Sequence, residues 1–231
     1  MTDKQADLSG VTPDLPKSFR SALLDHASTH CLKASHTLIH AGEMGNGLYL
    51  LKRGLLKVLL PSPLHEEDAV VISMLRPGGV VGELSLIDDR RRSASVVAVI
   101  DSEVLFVSRQ TFQHYAGQHP DIYKELAELL SARLRHTDDA VTATTFLTVK
   151  GRVARVLLEL ATVCGECDTK GVSISDTIRQ KDIAAMAGLS RETVNRVLAE
   201  LEHSEVVSHS NHRYRIPDLK ALERELDAVD R

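Results

Sequence analysis

From Asp121 to Lys150 the chain contains neither proline nor glycine, and Leu130, Leu134, Thr137, Val141 and Thr144 recur at steps of four and three. An unbroken stretch with that period, free of both until Gly151, predicts a long helix of about seven turns. Its apolar spacing is that of the a and d positions of a coiled-coil seam. A helix this long exceeds what one face of a small β-domain can cover, so the expectation is a homodimer. The alternative is that the stripe packs on the chain's own β-domain.

The segments on either side differ in pattern. From Cys31 to Val107 short β-rich runs such as Leu55–Leu60, Val70–Leu75 and Val96–Ile100 alternate with turn signals at Gly42, Gly54, Pro77-Gly78-Gly79 and Asp88-Asp89. That spacing predicts a compact β-barrel or β-roll. After the long helix come a second helix, Val153–Val163, a Cys164–Gly171 loop, two short helices within Ile178–Leu201, a hairpin in Val206–Ile216 turning near Asn211, and a terminal helix from Asp218 to about Val229. The expected division is a loose arm at 1–18, a β-roll at 19–118, the dimerisation helix at 119–146, a winged helix-turn-helix at 147–220 and a helix end at 221–231. Val149 to Arg152 would be the hinge, with Gly151 as its flexible joint. The fold class is α+β.

Composition limits the function. The net charge of −4 excludes a surface that is basic throughout, so any contact with nucleic acid must come from a local patch. No apolar run approaches the roughly 18 residues of a spanning helix, and Met1 to Lys17 lacks the pattern of a signal peptide. A cytoplasmic protein with no membrane partner is expected. Cys31, Cys164 and Cys167 fit a reducing compartment; Cys164 and Cys167 have metal-ligand spacing but lack a second pair, so no metal is expected.

Within Arg179 to Leu201, Gly188 permits a left-handed turn, Ser190 is placed to cap the next helix, and Val194, Val197, Leu198 and Leu201 share one face. The opposite face carries Arg191, Glu192, Asn195 and Arg196 within two turns, where a recognition helix meets base edges of double-stranded DNA. Arginine can donate twice to guanine, and glutamate can accept from an exocyclic amine. The bland alternative is a solvated face with an ion pair between Glu192 and Arg196. A second constellation, Gly82-Glu83-Leu84-Ser85-Leu86 followed by Arg92-Ser93-Ala94, suits a phosphate ester. Gly82 lets backbone approach a ligand and begins a short helical turn with free N–H groups. Arg92 supplies a fork, Ser93 a hydroxyl donor, and Glu83 an acceptor for a ribose hydroxyl. No nucleophile–base pair is visible, so no enzymatic activity is expected.

The Arg191-Glu192-Thr193-Val194 run followed by Asn195 and Arg196 resembles the recognition helix of the cyclic-AMP receptor protein and Fnr (Crp/Fnr) family of bacterial transcription regulators. The likeness implies an N-terminal cyclic-nucleotide-binding β-roll, a long dimer helix and a winged helix-turn-helix. By it Arg191, Glu192 and Arg196 would read a TGTGA-like half-site in an inverted repeat, with Asn195 at the variable position. Gly82 to Ser93 would be the phosphate-binding cassette, and Thr137 would contact the base. The next position, a small hydroxyl residue in the cyclic-AMP receptor, is Asp138 here. A carboxylate accepts from adenine N6 or guanine N2, so cyclic AMP (cAMP) leads as effector and cyclic GMP (cGMP) is second. RNA polymerase is a further expected partner. The alternatives are a regulator without a nucleotide effector and a haem-based gas sensor using the cluster of His26, His30, Cys31, His36 and His40.

Overall fold

The computed structural model describes residues 27–61, 69–175, 177–210 and 213–226. The expected arm at 1–18, His26, the turn near Asn211 and the end of the terminal helix lie outside them. The chain divides into two compact units: the described residues up to Leu56 with Leu75–Leu134, and Lys57–Met74 with the residues from Arg135 onward.

The glycine-punctuated runs become β1 (Ser28–Leu32), β2 (Thr37–Ile39), β3 (Gly47–Arg53), β4 (Leu56–Pro61), β5 (Ala69–Leu75), β6 (Val80–Val81), β7 (Ser95–Ala98) and β8 (Ser102–Ser108), with a short helix α1 (Leu84–Ile87) after β6. They form two four-stranded sheets, of order β1-β8-β3-β6 and β2-β7-β4-β5. Pairing of β3 with β8 sets Leu48 opposite Val107 and Leu50 opposite Leu105. Alternation then turns these residues to one face, where they meet Phe112, Ala116, Ile122, Leu126 and Leu129. Those partners belong to α2 (Arg109–Gln118), capped by the Ser108 hydroxyl, and to the start of α3 (Ile122–Phe146).

Along α3 the predicted seam divides. Leu130 packs partly on the first unit's core, as the alternative reading had it. Leu134, Val141 and Phe146 are 63%, 60% and 79% exposed. Their apolar surface is not covered by any of the described residues.

The helix ends at Phe146, and Gly151, expected as a flexible joint, lies inside the helix that follows. Thr148, extended at φ −61° and ψ 165°, accepts from the Gly151 N–H and starts a new helix, α4 (Val149–Cys164). Gly151 is buried in the first turn of α4, where a Cβ would lie 3.1 Å from the Leu226 carbonyl oxygen. The break falls at Leu147-Thr148 because a hydroxyl cap opens a helix there.

The expected Cys164–Gly171 loop also contains a strand, β9 (Glu166–Asp168). It pairs with β10 (Gly171–Ser175) in a sheet of order β11-β12-β10-β9, where β11 is Ser208–Ser210 and β12 is Arg213–Ile216. Arg215 Nη1 donates to both Asp168 oxygens, at 2.9 Å each, and ties β12 to β9. Between β10 and β11 lie α5 (Gln180–Ala187) and α6 (Arg191–His203), and α7 (Leu219–Arg224) follows β12.

In the second unit α3 and α4 are joined by His136 Nε2 and Glu159 Oε1 at 3.3 Å. The hydrogen bond to Glu159 raises the His136 pKa against the opposing effect of burial, with Asp139 adding to the rise and Arg155 opposing it. A histidine with a raised folded-state pKa contributes stability that is full below its unfolded pKa and is lost as pH rises through the folded value. Between pH 6 and 8 the thermal midpoint should therefore fall more in wild type than in His136→Gln, as differential scanning fluorimetry would read. Parallel pH profiles would refute the pairing.

Candidate functional site

The first unit places Gly82, Glu83, Ser85 and Arg92 together. Gly82 adopts φ +86°, and a Cβ there would stand 2.4 Å from Arg92 Nη1. The Arg92 guanidinium is 8% exposed and donates to the Gly82 carbonyl at 2.6 Å, the Ser85 hydroxyl at 2.7 Å and the Gly47 carbonyl at 2.7 Å. Burial lowers its pKa, while Tyr49 and Glu83 push it back up; a guanidinium stays protonated regardless. Among the described residues three of its five N–H donors are thereby used, which leaves two that could meet a ligand.

Glu83 is 2% exposed. Its Oε1 accepts from Arg133, which also donates to the Val80 carbonyl. Its Oε2 is buried with no hydrogen-bond partner among the described residues. A buried carboxylate oxygen in that condition is costly, and a hydroxyl donor from a ligand would relieve it. The Ser85 carbonyl is held by Arg109 at 2.5 Å, and Arg109 also pairs with Asp89. Leu84 is 42% exposed on α1, and Ser93 is exposed beside Arg92. Thr137 and Asp138 are exposed on α3 within the second unit.

Arg133, Arg109 and Gly45 were not visible as site residues in the sequence. Arg133 reads there as one more charge beside a seam. A Cβ on Gly45 would fall 2.0 Å from the Ser85 hydroxyl, a close approach that only the folded chain reveals.

Among the described residues no group of three or more His, Cys, Asp or Glu could hold a metal ion. The Cys164 thiol donates to the Leu160 carbonyl and is pushed up to about 11 by burial, whereas Cys167 is exposed. His30, His36 and His40 are exposed, with the His30 ring set edge-on to Tyr49 and Phe106.

In the second unit α5 ends at Gly188 in the left-handed region, φ +63°, and Ser190 caps α6 by accepting from the Thr193 N–H at 3.2 Å. Val194, Val197, Leu198 and Leu201 are buried, so Arg191, Glu192, Asn195 and Arg196 face solvent. Hydrogen bonds from its own backbone N–H and from the Ser190 hydroxyl hold the Glu192 carboxyl below the usual range. It is thus a reliable acceptor. Arg196 leans towards Glu200 at 4.0 Å, not towards Glu192, and such an exposed pair contributes little. Beside Arg191 a groove of about 410 Å³ is lined by Arg179, Lys181, His209 and Tyr214, the last two rings stacked at 4.6 Å. This cationic rim in an acidic chain also escaped the sequence reading, because its residues come from a helix start and a wing far apart in the chain.

Residues 29–119 match the cyclic nucleotide-binding domain, and residues 151–225 match the Crp-like helix-turn-helix domain. The "cAMP-activated global transcriptional regulator CRP" of Pasteurella multocida is 34% identical over 186 residues, covering 80% of this chain and 88% of that protein. The "CRP-like cAMP-activated global transcriptional regulator" of Mycobacterium tuberculosis is 28% identical over 216 residues, 94% of this chain and 96% of the other. Among solved structures, FixK2 from Bradyrhizobium japonicum superposes with TM-score 0.76 at 21% identity, covering 89% of this chain and 99% of that one. At that identity the likeness is one of fold. With an effector-binding and a DNA-binding domain both matched, and a relative 34% identical over most of its length, the chain belongs to the Crp/Fnr family of DNA-binding transcriptional regulators.

Proposed function

We propose that the protein is a homodimer whose affinity for a TGTGA-like inverted repeat is controlled by a cyclic mononucleotide, with cAMP the leading effector and cGMP the second. The observation that carries the effector reading is the buried, unpartnered Oε2 of Glu83 beside the buried guanidinium of Arg92. An acceptor for a ribose hydroxyl thus stands near a fork for a phosphate, close enough for the Glu83 charge to act on Arg92. In this reading Gly82, Leu84 and Ser85 shape the cradle, Ser93 adds a hydroxyl donor, and Thr137 and Asp138 meet the base. The relatives named as cAMP-activated favour cAMP among the candidates.

On the DNA side Arg191, Glu192 and Arg196 read base edges and Ser190 fixes the helix start, while Asn195 is left to an adjacent base. The cationic rim of Arg179 and Lys181 suits backbone phosphates, which supply most of the affinity. RNA polymerase is the partner through which such a regulator would act. A second reading, DNA binding without nucleotide control, draws on the three internal acceptors that already engage Arg92.

Fluorescence-anisotropy titration of an inverted-repeat duplex with cAMP, with cGMP and with neither separates the two readings. Nucleotide should raise the DNA affinity of wild type, and Arg92→Ala should weaken nucleotide binding about 10- to 100-fold, the loss of a charge-assisted contact. If Arg92→Ala responds as wild type does, the pocket is misassigned. The dimer has its own test. Val141→Glu puts a charge into the exposed stripe; it should sediment as a monomer and lose at least about 100-fold in affinity for the full repeat, the share that linked half-sites provide. A dimeric Val141→Glu would place the interface elsewhere.

A further inference from the structure

Asp182 makes two bonds in the second unit. Its Oδ2 accepts from the Arg179 N–H at 3.2 Å and closes the first turn of α5, while its Oδ1 accepts from Lys57 Nζ at 2.6 Å. Lys57 stands on β4, 125 residues earlier in the chain. The two side chains are only 16% and 5% exposed, against 70% and 53% for Arg196 and Glu200. An ion pair withdrawn from water is screened less by salt, and losing one partner leaves the other charge uncompensated. Around this pair Leu59 of β4 and Val71 of β5 share a cleft of about 490 Å³ with Ala184, Leu189, Ser190 and Arg191.

Leu189, Ser190 and Arg191 form the elbow between α5 and the reading helix. A duplex that receives the first turns of α6 in its major groove must run its backbone past this elbow. The paired strands β4 and β5 form a hairpin that borders this elbow across the cleft that Leu59 and Val71 line. We propose that Lys57 and Asp182 form an autoinhibitory latch, which keeps the hairpin against the elbow and must open before DNA is seated. This rests on the DNA reading given above.

The sign of one substitution distinguishes the latch from simple electrostatics. Lys57→Met removes a positive charge, so a general charge effect would weaken binding to DNA. Release of a latch strengthens it. With the full-length protein, the anisotropy titration should show nucleotide-free affinity rising about tenfold in Lys57→Met, within the usual range of coupling between sites. Affinity at saturating cAMP should be unchanged, and cAMP itself should bind more tightly by the same factor, because coupling is reciprocal. Asp182→Asn keeps an oxygen to accept from the Arg179 N–H and should show the same nucleotide-free gain. A fall or no change in nucleotide-free affinity for Lys57→Met overturns the latch. So does an equal gain with and without cAMP in Asp182→Asn, which would mark only the loss of a negative charge near phosphates. A wild type that fails to bind the repeat even with cAMP would overturn the functional reading itself, and the latch with it.

Discussion

Three acceptors from separate parts of the first unit converge on one buried guanidinium. Arg92 binds the Gly47 carbonyl at the start of β3, the Gly82 carbonyl in the turn after β6, and the Ser85 hydroxyl on α1. Burying a charge is costly unless it is fully hydrogen-bonded, so these bonds must form together or fail together. This requirement explains the glycines. Gly82 must be left-handed and bare because Arg92 Nη1 fills the space a Cβ would take, and Gly45 must be bare because Ser85 does. The short helix α1, which has no side-chain cap, is held by Arg92 and Arg109 more than by its own four residues. A pocket organised by one cation in this way suits an anion, whose negative charge would lower the cost of the buried arginine.

The long helix is governed by what it leaves uncovered. Its first turns are held by Ile122, Leu126 and Leu129 in the core of the first unit, and Arg133 is bonded to Glu83. Beyond that point Leu134 and Val141 continue the period, exposed among the described residues. Exposed apolar surface on one stripe of a helix favours association, at roughly 25 cal/mol per Å² of area removed from water. The exposed apolar part of α3 therefore begins where the part bonded to Glu83 ends. Thr137 lies one helical turn beyond Arg133, on the same side of α3.

Patterns with a period were legible in the sequence. The β-runs, the long helix, the buried face of α6 and its serine cap could all be read, because alternation, heptad spacing and cap chemistry are local. Contacts that depend on tertiary approach could not. Thr148 was indistinguishable from the other threonines nearby, although its hydroxyl ends one helix and begins the next. Glu166 to Asp168 is wholly exposed and carries no alternation, so β9 has no apolar signal; pairing with β10 and the Arg215 bonds to Asp168 make it a strand. Arg133 and Lys57 looked like ordinary surface charges because their acceptors, Glu83 and Asp182, lie 50 and 125 residues away.

A switch between silent and reading states must be energetically modest at each contact and sufficient in sum. Moving a two-state equilibrium from 1:99 to 99:1 takes about 5.5 kcal/mol of differential binding. A hydrogen bond to a charged group contributes about 1.5–3 kcal/mol, so no single contact of the ligand is enough. On the proposed reading at least two are available, the buried Glu83 oxygen that has no partner among the described residues and the Arg92 donors not used by Gly47, Gly82 and Ser85. The opposing state must then be held by contacts of comparable size. Exposed pairs such as Arg196 with Glu200 are too weak for that task. A shielded pair such as Lys57 with Asp182 is of the right order, since it resists salt yet can be outweighed by one or two new ligand contacts.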